Sequence, residues 1–247
     1  MKIQVLSLVF ALFVFSCTAP EKEQGAKETS SDNTLTTSAN NQSIMYPAIN
    51  QYIEDAKKGF ESIAEDRKAA LKKVALYIQT KKQSSEPVNL VFICTHNSRR
   101  SHFSQIWAST AAYHYGIDGI NTFSGGTEAT AFNPRAVQAI ERAGFKVVNP
   151  GGENPVYQVM FAEGQSLECF SKKYDHEANP KENFAAVMTC SEADKNCPFI
   201  PGATIRIPIT YEDPKIADNT DQERAKYDER CKQIATEVLY IMSQVKV

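Results

Sequence analysis

The sequence is short of metal donors, with four histidines (His96, His102, His114 and His176) scattered along 247 residues. No Cys-x2-Cys pair is present to begin a zinc site, so neither a metal nor another cofactor is expected. Strong charge of either sign is also missing. The formal net charge is −2, whereas a nucleic-acid binder is normally clearly basic, so no nucleic-acid partner is expected. Six cysteines, unevenly spaced, are too few to staple a chain this long, and each has to be read by itself. The apolar run from Ile3 to Phe15 is too short for a comfortable membrane span. What is there is a hydrophobic fraction of 42%, enough for a real core in one sizeable domain or two small ones.

Met1-Lys2 ahead of the Ile3–Phe15 run has the charged start and short apolar centre of an export signal. The run ends in Val14-Phe15-Ser16-Cys17, which resembles a bacterial lipoprotein cleavage box; bulky Phe15 departs from its commonest form. The resemblance implies a signal peptide over residues 1–17 and a lipidated N-terminus at Cys17. It also implies an exported protein held on a bacterial membrane by that lipid. Residues 18–45, mostly Ser, Thr, Asn, Glu and Lys, bury too little to offset their ordering entropy and read as a disordered tether. Residues 46–86 read as a helical extension and residues 87–247 as the chemical domain.

In the extension, Pro47 to about Lys58 reads as a short helix. Ser62-Ile63-Ala64-Glu65 has the capping-box pattern, followed by Leu71, Val74, Ala75 and Ile78 on one helical face. Beyond the connector, strands are expected at Val88–Ile93, Asn121–Phe123, Phe145–Val148, Phe184–Thr189 and Ala203–Pro208. Helices are expected at Ser101–Tyr115, from Asn133-Pro134 through Ala143, and from Asp221 to Ser243 behind the capping box Thr220–Glu223. Such alternation predicts an α/β fold, a doubly wound parallel sheet with ligands at the carboxyl ends of its strands. Pro150 to Pro180 breaks the alternation. It reads as an inserted β-hairpin around Ala162-Glu163-Gly164-Gln165, near the rim of the site.

The apolar run Leu90–Ile93 ends in Cys94-Thr95-His96-Asn97-Ser98-Arg99-Arg100-Ser101 and then a helix. A strand would deliver Cys94 to a tight loop whose amides, with a helix N-terminus, converge on one point suited to a tetrahedral oxyanion. The same field favours a thiolate, making Cys94 a nucleophile, and Arg100 would clamp the oxyanion with its planar fork. Cys190 stands at the end of another buried strand, and Cys197 follows seven residues later, within reach if the segment loops out. That spacing leaves two readings open, a redox relay or two unrelated core thiols. Asp213-Pro214 follows the last strand, where a carboxylic acid could protonate a leaving oxygen.

Together these pieces resemble the low-molecular-weight phosphatase superfamily, with its Cys-x5-Arg-Ser loop and late Asp-Pro loop on a four-stranded parallel sheet. Within it the resemblance is closest to thioredoxin-coupled arsenate reductases. They share Cys-Thr-x-Asn-Ser-x-Arg-Ser, here Cys94 to Ser101, and Cys-Ser-x-Ala-Asp-x-Asn-Cys-Pro, here Cys190 to Pro198. Ser124-Gly125-Gly126-Thr127 with Asn133-Pro134 is similar too, and the likeness spans about Asn89 to Val245. His96 stands where the family's loop has glycine. Gln105 stands where potassium-binding members carry glutamate, so no bound cation is expected. The resemblance implies that Thr95, His96, Asn97, Ser98, Arg99, Arg100 and Ser101 cradle arsenate or phosphate. Asn97 would brace the loop, and Ser98 and Ser101 would hydrogen-bond Cys94. Cys94 would attack, Asp213 would move the proton, and Cys190 and Cys197 would relay oxidation to a thioredoxin-like dithiol partner.

The alternative is a phosphatase acting on phosphotyrosine or a small phosphoester through a Cys94 phosphocysteine, needing neither Cys190 nor Cys197. It gains from the export signal, since thiols outside the cytoplasm tend to oxidise. It loses because Lys215-Ile216-Ala217 follows Asp213-Pro214 where a tyrosine pair is expected. A non-catalytic oxyanion-binding lipoprotein would not need an intact Cys94, Arg100 and Asp213. Of the remaining candidates, Cys231 lies on the face of Ile234, Ala235 and Val238 and reads as core. Cys169 reads as either buried or a stray thiol. His102 and His114 read as ordinary surface or packing residues, and His176, between Asp175 and Glu177, as a solvated loop histidine.

Overall fold

The computed structural model describes residues 44–246. The expected signal peptide, the Cys17 anchor and all but the last two residues of the expected tether lie outside the described residues. Met45, one residue before the expected resumption at Tyr46, is buried and bridges Ala162. Among the described residues no helix is long and apolar enough to cross a membrane.

The extension is two helices, α1 (Pro47–Lys57) and α2 (Glu65–Gln83). Pro47 opens α1 with its φ preset and no amide to satisfy, and Ile49, Ile53 and Ala56 form its buried stripe. Leu71, Val74, Ala75 and Ile78 are the buried face of α2, as their spacing predicts. The capping box does not form. Ser62 is spent in a turn on Gly59, and α2 starts at Glu65 behind Ala64 with no side-chain cap. Glu65 and Asp66 in the first turn favour the helix through its dipole instead.

The sheet has β1 (Val88–Cys94), β2 (Ile120–Gly126), β6 (Phe184–Met188) and β7 (Ala203–Pro208), in the order β2-β1-β6-β7 and parallel throughout. The crossovers carry α3 (Arg100–His114) after β1 and α5 (Ser191–Asn196) after β6. α4 (Pro134–Arg142) follows β2, and α6 (Glu223–Ser243) closes the chain. The two faces of the sheet are covered unequally. Leu90, Phe92, Ala185 and Val187 join the main core with Leu71, Phe103, Trp107, Ile234 and Leu239 from α2, α3 and α6. On the other face Val91, Ile93, Ala186 and Met188 meet a smaller cluster with Ala193 of α5 and Ile200.

The expected hairpin of the insertion forms, and a third strand joins it. β3 (Lys146–Val148) does not enter the parallel sheet; it pairs antiparallel with β4 (Tyr157–Ala162), which pairs with β5 (Gln165–Cys169). With only three residues, β3 could not show which sheet it joins. The expected box at Thr220–Glu223 forms only in part: Thr220 Oγ1 accepts the Gln222 amide at 3.2 Å, but α6 begins two residues later than expected. Glu223 instead accepts the Asn219 amide at 2.6 Å, and Thr220 donates to the Ala217 carbonyl at 2.8 Å. Asn133 does cap α4, accepting the Arg135 amide at 3.0 Å. Gly144 ends that segment at φ +105° and lets the backbone of Ala48 and Ile49 approach closer than any Cβ would permit.

Candidate active site

Cys94 is the last residue of β1, buried, and its loop runs directly into α3. Among the described residues, no backbone carbonyl takes the amides of His96 through His102. That leaves a run of donors at the N-terminus of a 15-residue helix, the arrangement that attracts a tetrahedral anion. Asn97 gives the loop its bend. It is fully buried in the left-handed region at φ +45°, where asparagine is better tolerated than most residues. His96 is not in that region, so replacing glycine there introduces no left-handed strain.

The Asn97 carboxamide accepts the Lys172 amide at 2.8 Å and donates to Ser101 Oγ at 2.9 Å. Ser101 Oγ lies 3.1 Å from Cys94 Sγ. Because this hydroxyl already accepts from Asn97, its own proton is free for the Cys94 sulfur. Ser98 does not share the task the resemblance implies. It donates its proton to the Ala131 carbonyl at 2.7 Å and secures the far side of the loop. Ser171 Oγ donates to the His96 carbonyl at 3.0 Å, so the chain leaving β5 backs the loop. His96 itself is half exposed, with Nε2 3.5 Å from Glu128.

Arg100 reaches the loop that follows β7. Its Nη1 donates to the Tyr211 carbonyl at 2.9 Å and its Nη2 to Asp213 at 2.7 Å. Asp213 also accepts the Lys215 amide at 3.1 Å, anchoring the short 3-10 turn Pro214–Ala217. Arg99, expected to line the cradle, has Nη1 3.8 Å from Asp213 Oδ1 and is held from α6. Nε donates to the Tyr227 hydroxyl at 2.9 Å, and that hydroxyl donates to Asp218 at 2.8 Å. Its guanidinium thus ties the loop to α6 and borders Asp213.

Cys190 is buried at the N-cap of α5. Its sulfur accepts the Ala193 amide at 3.4 Å and lies 3.4 Å from the hydroxyl of Thr95, the neighbour of Cys94. Cys197, partly exposed, ends the same helix. Seven helical steps separate the two, about 10 Å along the axis, beyond the reach of a disulfide unless α5 unwinds. Arg206 of β7 holds the helix closed, donating to the Cys197 carbonyl at 3.0 Å and to the Asp194 carboxylate at 2.5 Å. Cys169 and Cys231 are fully buried, and burial pushes their thiols up to about 12 and about 11. Cys231 accepts the Trp107 indole at 3.3 Å as a core residue.

His102 is not a surface residue. It is fully buried behind the loop, stacked on Phe132 at 4.1 Å, with Nδ1 3.4 Å from Ser124 Oγ. Burial, with the Lys172 ammonium nearby, drives its pKa down from 6.5 to about 3. The folded ring is therefore neutral, and it does not affect stability above pH 6.5. As pH falls from 6.5 toward 3, the unfolded chain binds the extra proton and the fold loses roughly 4–5 kcal/mol over that window. His102→Phe, which keeps the stack, should flatten the pH dependence of the urea midpoint between pH 6.5 and 4. An unchanged slope would refute this.

The structure thus joins Cys94, Asn97 and Ser101, then Arg100 with Asp213, and Thr95 with Cys190. Ser171, Lys172, Tyr211 and Tyr227 support the loop from distant segments, and no local pattern marks them. Among the described residues no group of His, Cys, Asp and Glu could hold a metal ion. Gln105 is a buried residue of α3, donating to the Thr122 carbonyl at 3.3 Å.

No family model matches the chain. An arsenate reductase of Bacillus licheniformis is 28% identical over 141 residues, 57% of this chain and 84% of that protein. A low-molecular-weight phosphotyrosine phosphatase of Vibrio cholerae is 13% identical at a TM-score of 0.44, covering 63% of this chain and 95% of its own. An arsenate reductase solved in the phosphate binding state is 18% identical at a TM-score of 0.42, covering 64% and 99%. The chain is thus similar in sequence to an arsenate reductase across most of that protein's length, and its Cys94 loop meets Asp213 through Arg100.

Proposed function

We propose that the chain is a thiol-coupled arsenate reductase. The observation that carries this reading is the position of Cys190, whose sulfur contacts Thr95 beside the nucleophile, 3.4 Å from its hydroxyl. Hydrolysis alone would require no thiol there. The curated relative's name, arsenate reductase, agrees. So does the cleft beside Asp213, about 530 Å³, whose lining of Glu212, Asp213, Lys215 and Ile216 offers no aromatic wall for a phosphotyrosine ring.

In this mechanism the amides of the Thr95–Ser101 loop and the Arg100 guanidinium hold arsenate, so Arg100 exchanges its bond to Asp213 for one to the oxyanion. Cys94 attacks arsenic, and one arsenate oxygen leaves as water with a proton supplied by Asp213. Arsenic is still pentavalent at this point. Cys190 then attacks the Cys94 sulfur; the sulfur–arsenic bond breaks and its electron pair stays on arsenic. Arsenite departs, and the two sulfurs are left as a Cys94–Cys190 disulfide. Cys197 attacks Cys190 as α5 unwinds and Arg206 lets go, which frees Cys94 and leaves a Cys190–Cys197 disulfide. An external dithiol protein of thioredoxin type reduces that disulfide and is itself oxidised. The exported location and the lipid on Cys17 are part of this proposal, supported by the pattern of residues 1–17. They set a requirement that the reductant act outside the cytoplasm.

Phosphoester hydrolysis is the second reading, favoured by the Arg100–Asp213 pair at 2.7 Å, which serves phosphoryl transfer without any relay thiol. Two variants separate them. Cys190→Ser and Cys197→Ser should each abolish multiple-turnover arsenate reduction with a dithiol reductant, yet hydrolyse p-nitrophenyl phosphate within about twofold of wild type, since neither thiol attacks phosphorus. If the wild type hydrolyses the ester well and shows no arsenate-dependent loss of free thiols, the reductase reading fails.

A further inference from the structure

The helical extension reads at first as core, since α1 and α2 bury apolar faces on α6 and the sheet. One of its polar residues goes further. Arg67, in the first turn of α2, places Nε and Nη2 on the Glu237 carboxylate of α6 at 3.0 and 2.7 Å. Nη2 also donates to the Thr210 carbonyl at 3.1 Å, and the guanidinium lies 4.9 Å from the centre of the Tyr211 ring. Tyr211 is buried, with its amide on the Thr189 carbonyl at 3.1 Å and its own carbonyl taken by Arg100 at 2.9 Å.

Two arginines from different helices therefore hold consecutive carbonyls, Arg67 that of Thr210 and Arg100 that of Tyr211. The chain then turns outward: the Glu212 side chain is 89% exposed, and Asp213 follows. An ion pair serving only to fasten α2 to α6 would need Glu237 alone. The additional grip on Thr210 and the stack on Tyr211 use the planar fork of arginine, which lysine lacks.

We propose that Arg67 is a positioning residue for Asp213, so that the extension sets the geometry of the proton-donating loop from behind. The inference rests on Asp213 being the proton donor of the proposed reaction. Arg67 fixes the last buried residue before the loop leaves the core; Asp213 meets Arg100 only if that point is held. Small displacements of a proton donor weaken catalysis steeply.

The test uses Arg67→Met, Arg67→Lys and Asp213→Asn in the full chain, with two kinds of measurement. In the first, amide exchange in Arg67→Met should speed at least about tenfold over Thr210–Ala217 while β1 and β6 keep their protection. Arg67→Lys keeps the charge beside Glu237 and so a stable fold, but it gives up the paired grip and should show the same loop acceleration. In the second, Arg67→Met should slow hydrolysis of an alkyl phosphate about tenfold and spare p-nitrophenyl phosphate, whose leaving group needs little protonation. Asp213→Asn should cost about 10²-fold on the alkyl ester, and the double variant should be no slower than Asp213→Asn. Multiplicative losses, exchange that rises only in α2 and α6, or full recovery in Arg67→Lys would each overturn the proposal. Should the wild type hydrolyse neither ester, Asp213→Asn must instead slow arsenate reduction, and normal reduction in that variant would remove Asp213 as the donor, while loop exchange would still decide whether Arg67 positions the loop.

Discussion

Cys94→Ser should reduce arsenate-dependent thiol oxidation and aryl phosphate hydrolysis together, each by at least ~10⁴-fold, because both reactions begin with this sulfur. The fold should survive. Serine is smaller than cysteine, the site lies at the end of β1, and the Ser101 hydroxyl 3.1 Å away can bond to an oxygen as well as to a sulfur. Phosphate affinity, set by loop amides and Arg100 rather than by the nucleophile, should change by less than about tenfold. Isothermal titration with phosphate beside the two activity assays checks both halves. Substantial remaining hydrolysis would mean that another group attacks, and would remove Cys94 from the centre of the site.

Gly126→Ala is expected to have the second largest effect, although no charge or nucleophile is touched. Gly126 pairs with Cys94 at the end of β2, and a Cβ there would lie 2.6 Å from the Thr95 carbonyl oxygen and 2.7 Å from the Asn97 amide nitrogen. It would also collide with the Glu128 carbonyl oxygen. All three are backbone atoms, so no rotamer change can relieve them, and the cost falls in or beyond the roughly 1–3 kcal/mol of an overpacked core. A shift of roughly 1 Å at Thr95 and Asn97 displaces the amides of the cradle, so kcat/KM should fall about 10²-fold. Calorimetry should show the melting point down by several degrees, at roughly 2–4 °C per kcal/mol for a domain of this size. A variant with normal kcat/KM would show that the contact of β2 with the loop carries no functional weight.

The contrast between these two positions shows what could be read from the chain by itself. Cys94, Arg100 and Ser101 lie within one loop, so the chemistry of that stretch follows from strand, turn and helix start without knowledge of distant residues. Asp213 and Cys190 could be placed at the same edge because each follows a strand of a parallel sheet. Gly126, by contrast, matters through three carbonyl and amide atoms brought close by strand pairing, and nothing in Ser124–Thr127 signals which atoms those are. Arg67 and Glu237 are 170 residues apart, and Lys172 meets Asn97 across 75; neither pair has a local pattern. The box at Ser62 failed, and that at Thr220 formed only in part, for another reason. Ser62 and Thr220 have the right neighbours, but each is held in a turn that precedes the helix, and tertiary packing fixes where the helix begins.

The unequal faces of the sheet have a consequence for the order in which the molecule comes apart. The main core engages α1, α2, α3, α4 and α6 on one side, whereas the other side carries the six-residue α5 over a cluster that includes Cys94, Cys190 and Ala193. Opening α5 spends only that smaller cluster and the Arg206 contacts, so the molecule is divided into a durable body and a separately meltable flap. Among the described residues, the two sulfurs that would have to travel furthest in the relay, Cys190 and Cys197, stand at either end of that flap. Opening on this side would leave Trp107 and its neighbours in the main core packed.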